Sequence, residues 1–176
     1  MDGGAHHAHF DHHFGTAAFL PCPVWAHARC RAALARGAEA DRAEWVRRFA
    51  GTPRADRLAA ARLVLPDHPV TGRVRLDLGG RVVELVHPGP AHTDHDVAVH
   101  VPDAGVLFAG DLVEQGAPPS IGPDASPQHW PAALGRLLAL GAATIVPGHG
   151  EPVDRAFVTA QRDELSRSSA RPSGSA

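Results

Sequence analysis

The sequence predicts a layered α/β (α+β) fold in one domain, residues 1–165, followed by a short disordered tail at 166–176. Three observations carry that expectation. The chain has 176 residues, 44% of them hydrophobic, and a net charge of -2, which suits one globular unit with a single core. Hydrophobic spacing is helical before Arg73 and alternates with period two after it. A helix, a strand and a helix then close the chain, and that order is the arrangement of sheets covered by helices.

The elements follow in order. Phe14 to Leu20 reads as a short helix and Pro23 to Ala26 as a short strand. His27 to Arg36 is predicted to be a helix stopped by Gly37. Asp41-Arg42-Ala43-Glu44 has capping-box spacing, with Trp45 and Phe49 on one helical face and Gly51 at the end. Thr52 takes the N-cap position of a further helix, with Pro53 in its first turn. Val74, Leu76 and Leu78 alternate with Arg73, Arg75 and Asp77, a half-buried strand. Gly79-Gly80 is a hairpin turn, and Arg81 to Val86 is the partner strand. Val97 to Val101, the turn Pro102 to Gly105, and Val106 to Ala109 form a second hairpin. Ser126-Pro127 opens a helix with Trp130, Leu134, Leu137 and Leu138 on one face, closed by Gly141. Thr144 to Val146 is a buried strand, and Phe157 to Leu165 the last amphipathic helix.

Composition narrows the function classes. All basic residues are arginine and nearly balance the acidic ones, so no nucleic-acid or membrane surface is expected. No apolar run reaches the length of a membrane span, and no basic-then-apolar leader opens the sequence. Cys22 and Cys30 lack metal-knuckle spacing, and a reducing cytoplasm fits them. Trp25, Trp45 and Trp130 are expected in the core.

The 13 histidines are the anomaly. His7-Ala8-His9-Phe10-Asp11-His12 packs three imidazoles and a carboxylate into six residues, a donor set suited to zinc or a similar divalent ion. In extended backbone His7 and His9 point the same way and can grip one ion, with Asp11 and His12 beside a second. A His-rich tail, with His6 and His13 as further members, is the bland alternative. Three downstream segments weigh against it: Gly89-Pro90-Ala91-His92-Thr93-Asp94, Phe108-Ala109-Gly110-Asp111 and Pro147-Gly148-His149-Gly150. Each is an apolar strand, then glycine or proline, then a ligand-type side chain.

Taken together, His7-x-His9-x-Asp11-His12, Ala91-His92-Thr93, Gly110-Asp111 and Pro147-Gly148-His149-Gly150 resemble the successive motifs of the metallo-β-lactamase superfamily. The resemblance implies an αβ/βα sandwich with two metals in a cleft between sheet edges. It implies that His7, His9 and His92 bind one metal, that Asp11, His12 and His149 bind the other, and that Asp111 bridges them. Asp11 and Asp111 are the implied catalytic carboxylates. Aspartate at 111, with no cysteine among the ligands, is similar to the glyoxalase II and general hydrolase branch. The expected cofactor is two Zn2+ per chain, with Fe or Mn as substitutes. The expected chemistry is hydrolysis of a small-molecule ester, thioester or lactam by a metal-activated water. Two rivals stand beside it. One is a mononuclear iron oxygenase using His7, His92 and Asp111, and the other is a non-catalytic metal-binding remnant.

Thr93, Asp94 and the backbone around Gly110 are candidate supports for the metal histidines. Glu114 to Gly122 is a loop that either touches substrate or only connects. His13, His95, His100 and His129 are expected to be packing or solvent residues. In the family a buried strand precedes the H-x-H-x-D-H loop, whereas Met1 to Gly4 offers no apolar strand. The reading therefore expects an N-terminally truncated sandwich, with the first sheet segment missing.

Overall fold

The computed structural model describes residues 3–4 and 6–169. Contacts divide the chain into two compact units, Met1–Val70 and Thr71–Ala176.

The first unit runs β1 (Gly3–Gly4), α1 (Phe10–His13), a 3-10 turn at Thr16–Phe19, β2 (Val24–His27), α2 (Ala28–Arg48), α3 (Pro53–Ala60) and β3 (His68–Val70). Its strands form a parallel sheet in the order β1-β2-β3. The short helix expected over Phe14 to Leu20 is the 3-10 turn at Thr16–Phe19, and α1 precedes it. Gly3 and Gly4 pair with Val24 and Trp25, a strand that the sequence reading did not place there. Ladder bonds use backbone groups alone, so glycine can make them without an apolar side chain. Strand β3 was also not anticipated, and it contains Pro69. It lies at the sheet edge, where a missing N–H is tolerated.

The two helices expected on either side of Gly37 are one. Cys30, Leu34 and Ala38 are buried at four-residue spacing and pack with Ala26, so the apolar stripe runs through Gly37. A lone interior glycine costs only about 1 kcal/mol, which the stripe outweighs. Asp41 therefore sits inside α2 and caps nothing. A Cβ on Gly37 would meet only Asp41 Oδ2 at 3.8 Å, an ordinary contact. Gly37→Ala is expected to stabilise the protein by roughly 0.5–1 kcal/mol, read as a raised denaturant midpoint. A lowered midpoint would contradict the continuous helix. At the start of α3 the Thr52 hydroxyl donates to Phe49 O at 2.7 Å. It thus serves the end of the preceding turn and makes no cap bond to α3.

The second unit contains β4 (Arg73–Asp77), β5 (Val82–Val86), β6 (Ala98–Val101), β7 (Val106–Glu114), α4 (Trp130–Leu138), β8 (Thr144–His149), β9 (Val153–Asp154) and α5 (Arg155–Ser169). Its six strands lie in the order β4-β5-β6-β7-β8-β9, antiparallel except for the parallel pair β7–β8. The first hairpin has the expected register, Val74 opposite Leu85 and Leu76 opposite Val83. Gly79 and Gly80 form its turn at φ 74° and 96°. Strand β7 runs five residues beyond the expected Ala109, to Glu114, and β8 three beyond Val146. Their pairing continues through register shifts on either side of Gly110. Helix α4 begins at Trp130, because Ser126 O first accepts from His129 N and Trp130 N in a turn. Helix α5 continues past Leu165 to Ser169, where the Ser166 and Ser169 hydroxyls bond Arg162 O and Pro127 O. Ser166 to Ser169 of the expected tail are thus helical, and residues 170–176 lie outside the described residues.

Trp130, Leu134 and Leu137 of α4 and Val158 and Leu165 of α5 cover Leu107, Ala109, Leu112, Val113 and Ile145 of the sheet. Trp130 is wholly buried, as expected. Trp25 and Trp45 are only half-buried, which corrects their assignment to the core. Trp45 stacks on Phe10 at 3.9 Å, with the Arg48 guanidinium over its ring, the placement of a flat surface aromatic. No described helix is long and apolar enough to cross a membrane.

Candidate metal centre

The expected ligands fall into two sets, one in each unit. In the first unit they fall within six consecutive residues, His7 to His12. His7 and His9 meet edge to face with ring centroids 4.6 Å apart, and His7 and His12 lie 4.3 Å apart. Residues 7–9 form a bend where an extended stretch was expected, and His9, at φ -68° and ψ 149°, is extended. The turn of α1 then brings Asp11 Oδ2 to 3.8 Å from His12 Nε2. His9 takes the N-cap position of α1, and its carbonyl accepts from His12 N and lies 3.1 Å from His13 Nδ1. His13 is therefore a brace for the motif. Burial holds its pKa below the ordinary histidine value, against the raising effects of the His9 carbonyl, Asp41 and Asp11.

In the second unit Asp111 lies on β7, just after Gly110, where the register shift re-aims the strand. Gly110 adopts φ 56°, a conformation that glycine reaches without penalty. Gly148 of β8 passes directly over this point. A Cβ there would fall on the Asp111 carboxylate and lie 2.9 Å from both Asp111 N and Gly110 C. The glycine before His149 is therefore required by close approach, and that approach seats His149 beside Asp111.

His149 Nε2 and His92 Nε2 each lie 3.6 Å from Asp111 Oδ2. Both separations exceed a hydrogen bond. Two donors bound about 2.1 Å from one tetrahedral ion stand roughly 3.4 Å apart, so the spacing is that of ligands sharing a metal. The donor set of two imidazoles and a carboxylate suits the same ions. His92 is only 2% exposed, and its ring meets the Trp130 ring edge-on at 5.6 Å. Its Nδ1 lies 3.1 Å from Ser120 O, which favours the Nδ1–H tautomer and leaves Nε2 available as a donor atom.

Thr93 N and Oγ1 donate to Asp96 at 2.7 and 2.9 Å. Asp96, 1% exposed, was missed by the sequence reading. Its signal was an aspartate three residues after Thr93, the spacing of a side-chain-closed turn. Asp94 Oδ1 lies 2.7 Å from His95 Nδ1, and Glu84 Oε2 lies 3.1 Å from His100 Nδ1. His95 and His100 are thus packing residues and His129 is exposed, as expected.

The family model described as the metallo-beta-lactamase superfamily matches residues 7–149. The chain is 30% identical over 93 residues to the metallo-beta-lactamase type 2 of Bacteroides fragilis, covering 51% of this chain and 37% of that protein. It is 34% identical over 77 residues to the 2,4-dinitroanisole O-demethylase subunit alpha of Nocardioides sp. (strain JS1661), covering 44% and 24%. The matched part thus spans little more than a third of these curated relatives at most. A metallo-beta-lactamase from Pontibacter korlensis superposes with a TM-score of 0.72 at 23% identity, covering 94% of this chain and 69% of that one. The DIM-1 metallo-beta-lactamase gives 0.71 at 18% identity, covering 96% and 70%. With this fold, and with a family match that runs from His7 to His149, the chain belongs to the metallo-β-lactamase superfamily.

Proposed function

We propose that the chain is a metal-dependent hydrolase with two zinc ions acting on a small ester, thioester or lactam. The observation that carries this reading is the Asp111 carboxylate 3.6 Å from two imidazole Nε2 atoms, under a glycine that leaves it room. Family motif order supports the rest: His7, His9 and His92 on one ion, Asp11, His12 and His149 on the other, Asp111 on both. When bound, divalent ions polarise a carbonyl oxygen and make water a nucleophile near neutral pH.

The residues themselves do the following. Asp11 and Asp111 bring two negative charges, so two dications keep a net positive charge for developing oxyanions. The histidines bind as neutral donors and add none. Ser120 O holds His92 in the tautomer that presents Nε2. The Gly148 crossing keeps the Asp111 carboxylate in a fixed position.

Metal analysis of the protein, followed by turnover of an ester, a thioester, a β-lactam and an aryl methyl ether, tests the reading. The last substrate is included because one relative is named for O-demethylation. Two zincs per chain and hydrolysis of one of the first three are expected. One iron per chain would favour the oxygenase, and metal-free protein would end the proposal.

A further inference from the structure

Metal ligands must be held to within a few tenths of an ångström. Asp111 meets that demand because it stands on a strand. His92 lies in the loop after β5, and His149 is the last residue of β8. Glu114, the last residue of β7, and Gln115, in the bend just after it, connect to both histidines. Glu114 is 7% exposed, and its Oε1 accepts from Ser120 N at 3.0 Å. Ser120 in turn offers its carbonyl to His92 Nδ1. Gln115 N donates to His149 O at 3.0 Å, and Gln115 Oε1 accepts from Glu151 N at 3.0 Å. The Gln115 side chain fills the space where Gly150 has no Cβ.

These two neighbouring residues thus reach two different loops, Glu114 the one at Ser120 and Gln115 the one at Glu151. The strand end is itself anchored. Gln161 of α5 accepts from Glu114 N at 3.3 Å and donates to Leu112 O at 2.9 Å. Trp130 Nε1 donates to the same carbonyl at 3.0 Å. The chain of bonds thus runs from α5 and α4, through β7, to the His92 imidazole and to the His149 backbone.

We infer that Glu114 and Gln115 form a clamp, a pair of positioning residues that sets His92 and His149 against Asp111. This role rests on the metal reading above. It also answers the question left by the sequence for the Glu114 to Gly122 loop: it holds a ligand in place. Glu114 acts on His92 through the Ser120 peptide, and Gln115 acts on His149 through its carbonyl and the Gly150-Glu151 turn.

The test is release of cobalt to a chelator from the Co2+-substituted full chain, with its visible absorption and the melting temperature of the metal-free form. Glu114→Ala and Gln115→Ala should each release cobalt at least about tenfold faster, the usual scale for an outer partner of a metal histidine. Each should also change the visible spectrum. Glu114→Gln keeps an acceptor oxygen for Ser120 N and should stay within about threefold of wild type. Release at the wild-type rate from both alanine variants overturns the clamp, as does Glu114→Gln failing as badly as Glu114→Ala. If Glu114→Ala does not fold, Gln115→Ala decides, because its side chain is partly exposed. Wild-type protein that takes up no cobalt overturns the hydrolase reading and the clamp with it. Normal uptake with unchanged release in the variants overturns the clamp alone.

Discussion

Asp111→Ala is expected to leave fewer than two metals per chain and to lower turnover by more than about 100-fold. Loss of a partner that only orients a metal histidine already weakens a site about 10–100-fold, and in the proposed reading Asp111 is itself a donor. Its Oδ2 lies equally far, 3.6 Å, from His92 Nε2 and His149 Nε2. On that reading, removing it takes the shared ligand and one negative charge from both positions at once. His149→Ala is the comparison, because it removes one donor from one position and should leave the other metal partly bound. The measurement is metal content by elemental analysis beside kcat/KM on whichever substrate the panel yields. Full occupancy and near-normal turnover in Asp111→Ala would end the shared-ligand assignment.

Gly148→Ala should be nearly as damaging, although it removes no donor atom. The added methyl would meet the Asp111 carboxylate and would lie 2.9 Å from Asp111 N and Gly110 C. Two of the three obstacles are backbone atoms of the paired strand, which cannot rotate away. Overpacking of this kind costs roughly 1–3 kcal/mol. In a chain of this size that is a fall of about 3–10 °C in melting temperature. Strands β7 and β8 can separate only by moving His149 away from Asp111, so metal content should fall together with stability. Gly37→Ala is the control, since its Cβ meets nothing closer than 3.8 Å. Unchanged metal binding in Gly148→Ala would show that the close crossing of β8 over Asp111 does not matter to the site.

The family and the hairpins were legible in the sequence, as were the candidate ligands. Each is written in local spacing: H-x-H-x-D-H over six residues, and alternation from Val74 to Leu78 answered by Val82 to Val86. Tertiary structure decided the rest, wherever one stretch's conformation depends on a distant one. Gly37 reads as a stop, yet the helix passes through it because Cys30, Leu34 and Ala38 share one buried stripe. Gly3–Gly4 has no strand-forming side chain, and Val24–Trp25 supplies its ladder. Ser120, 28 residues from His92, emerged as the ring's partner only once Glu114 had closed the loop between them. Short-range periodicity is a property of the residues themselves. A hydrogen bond across 28 residues depends on the path of the chain between them, and only packing sets that path.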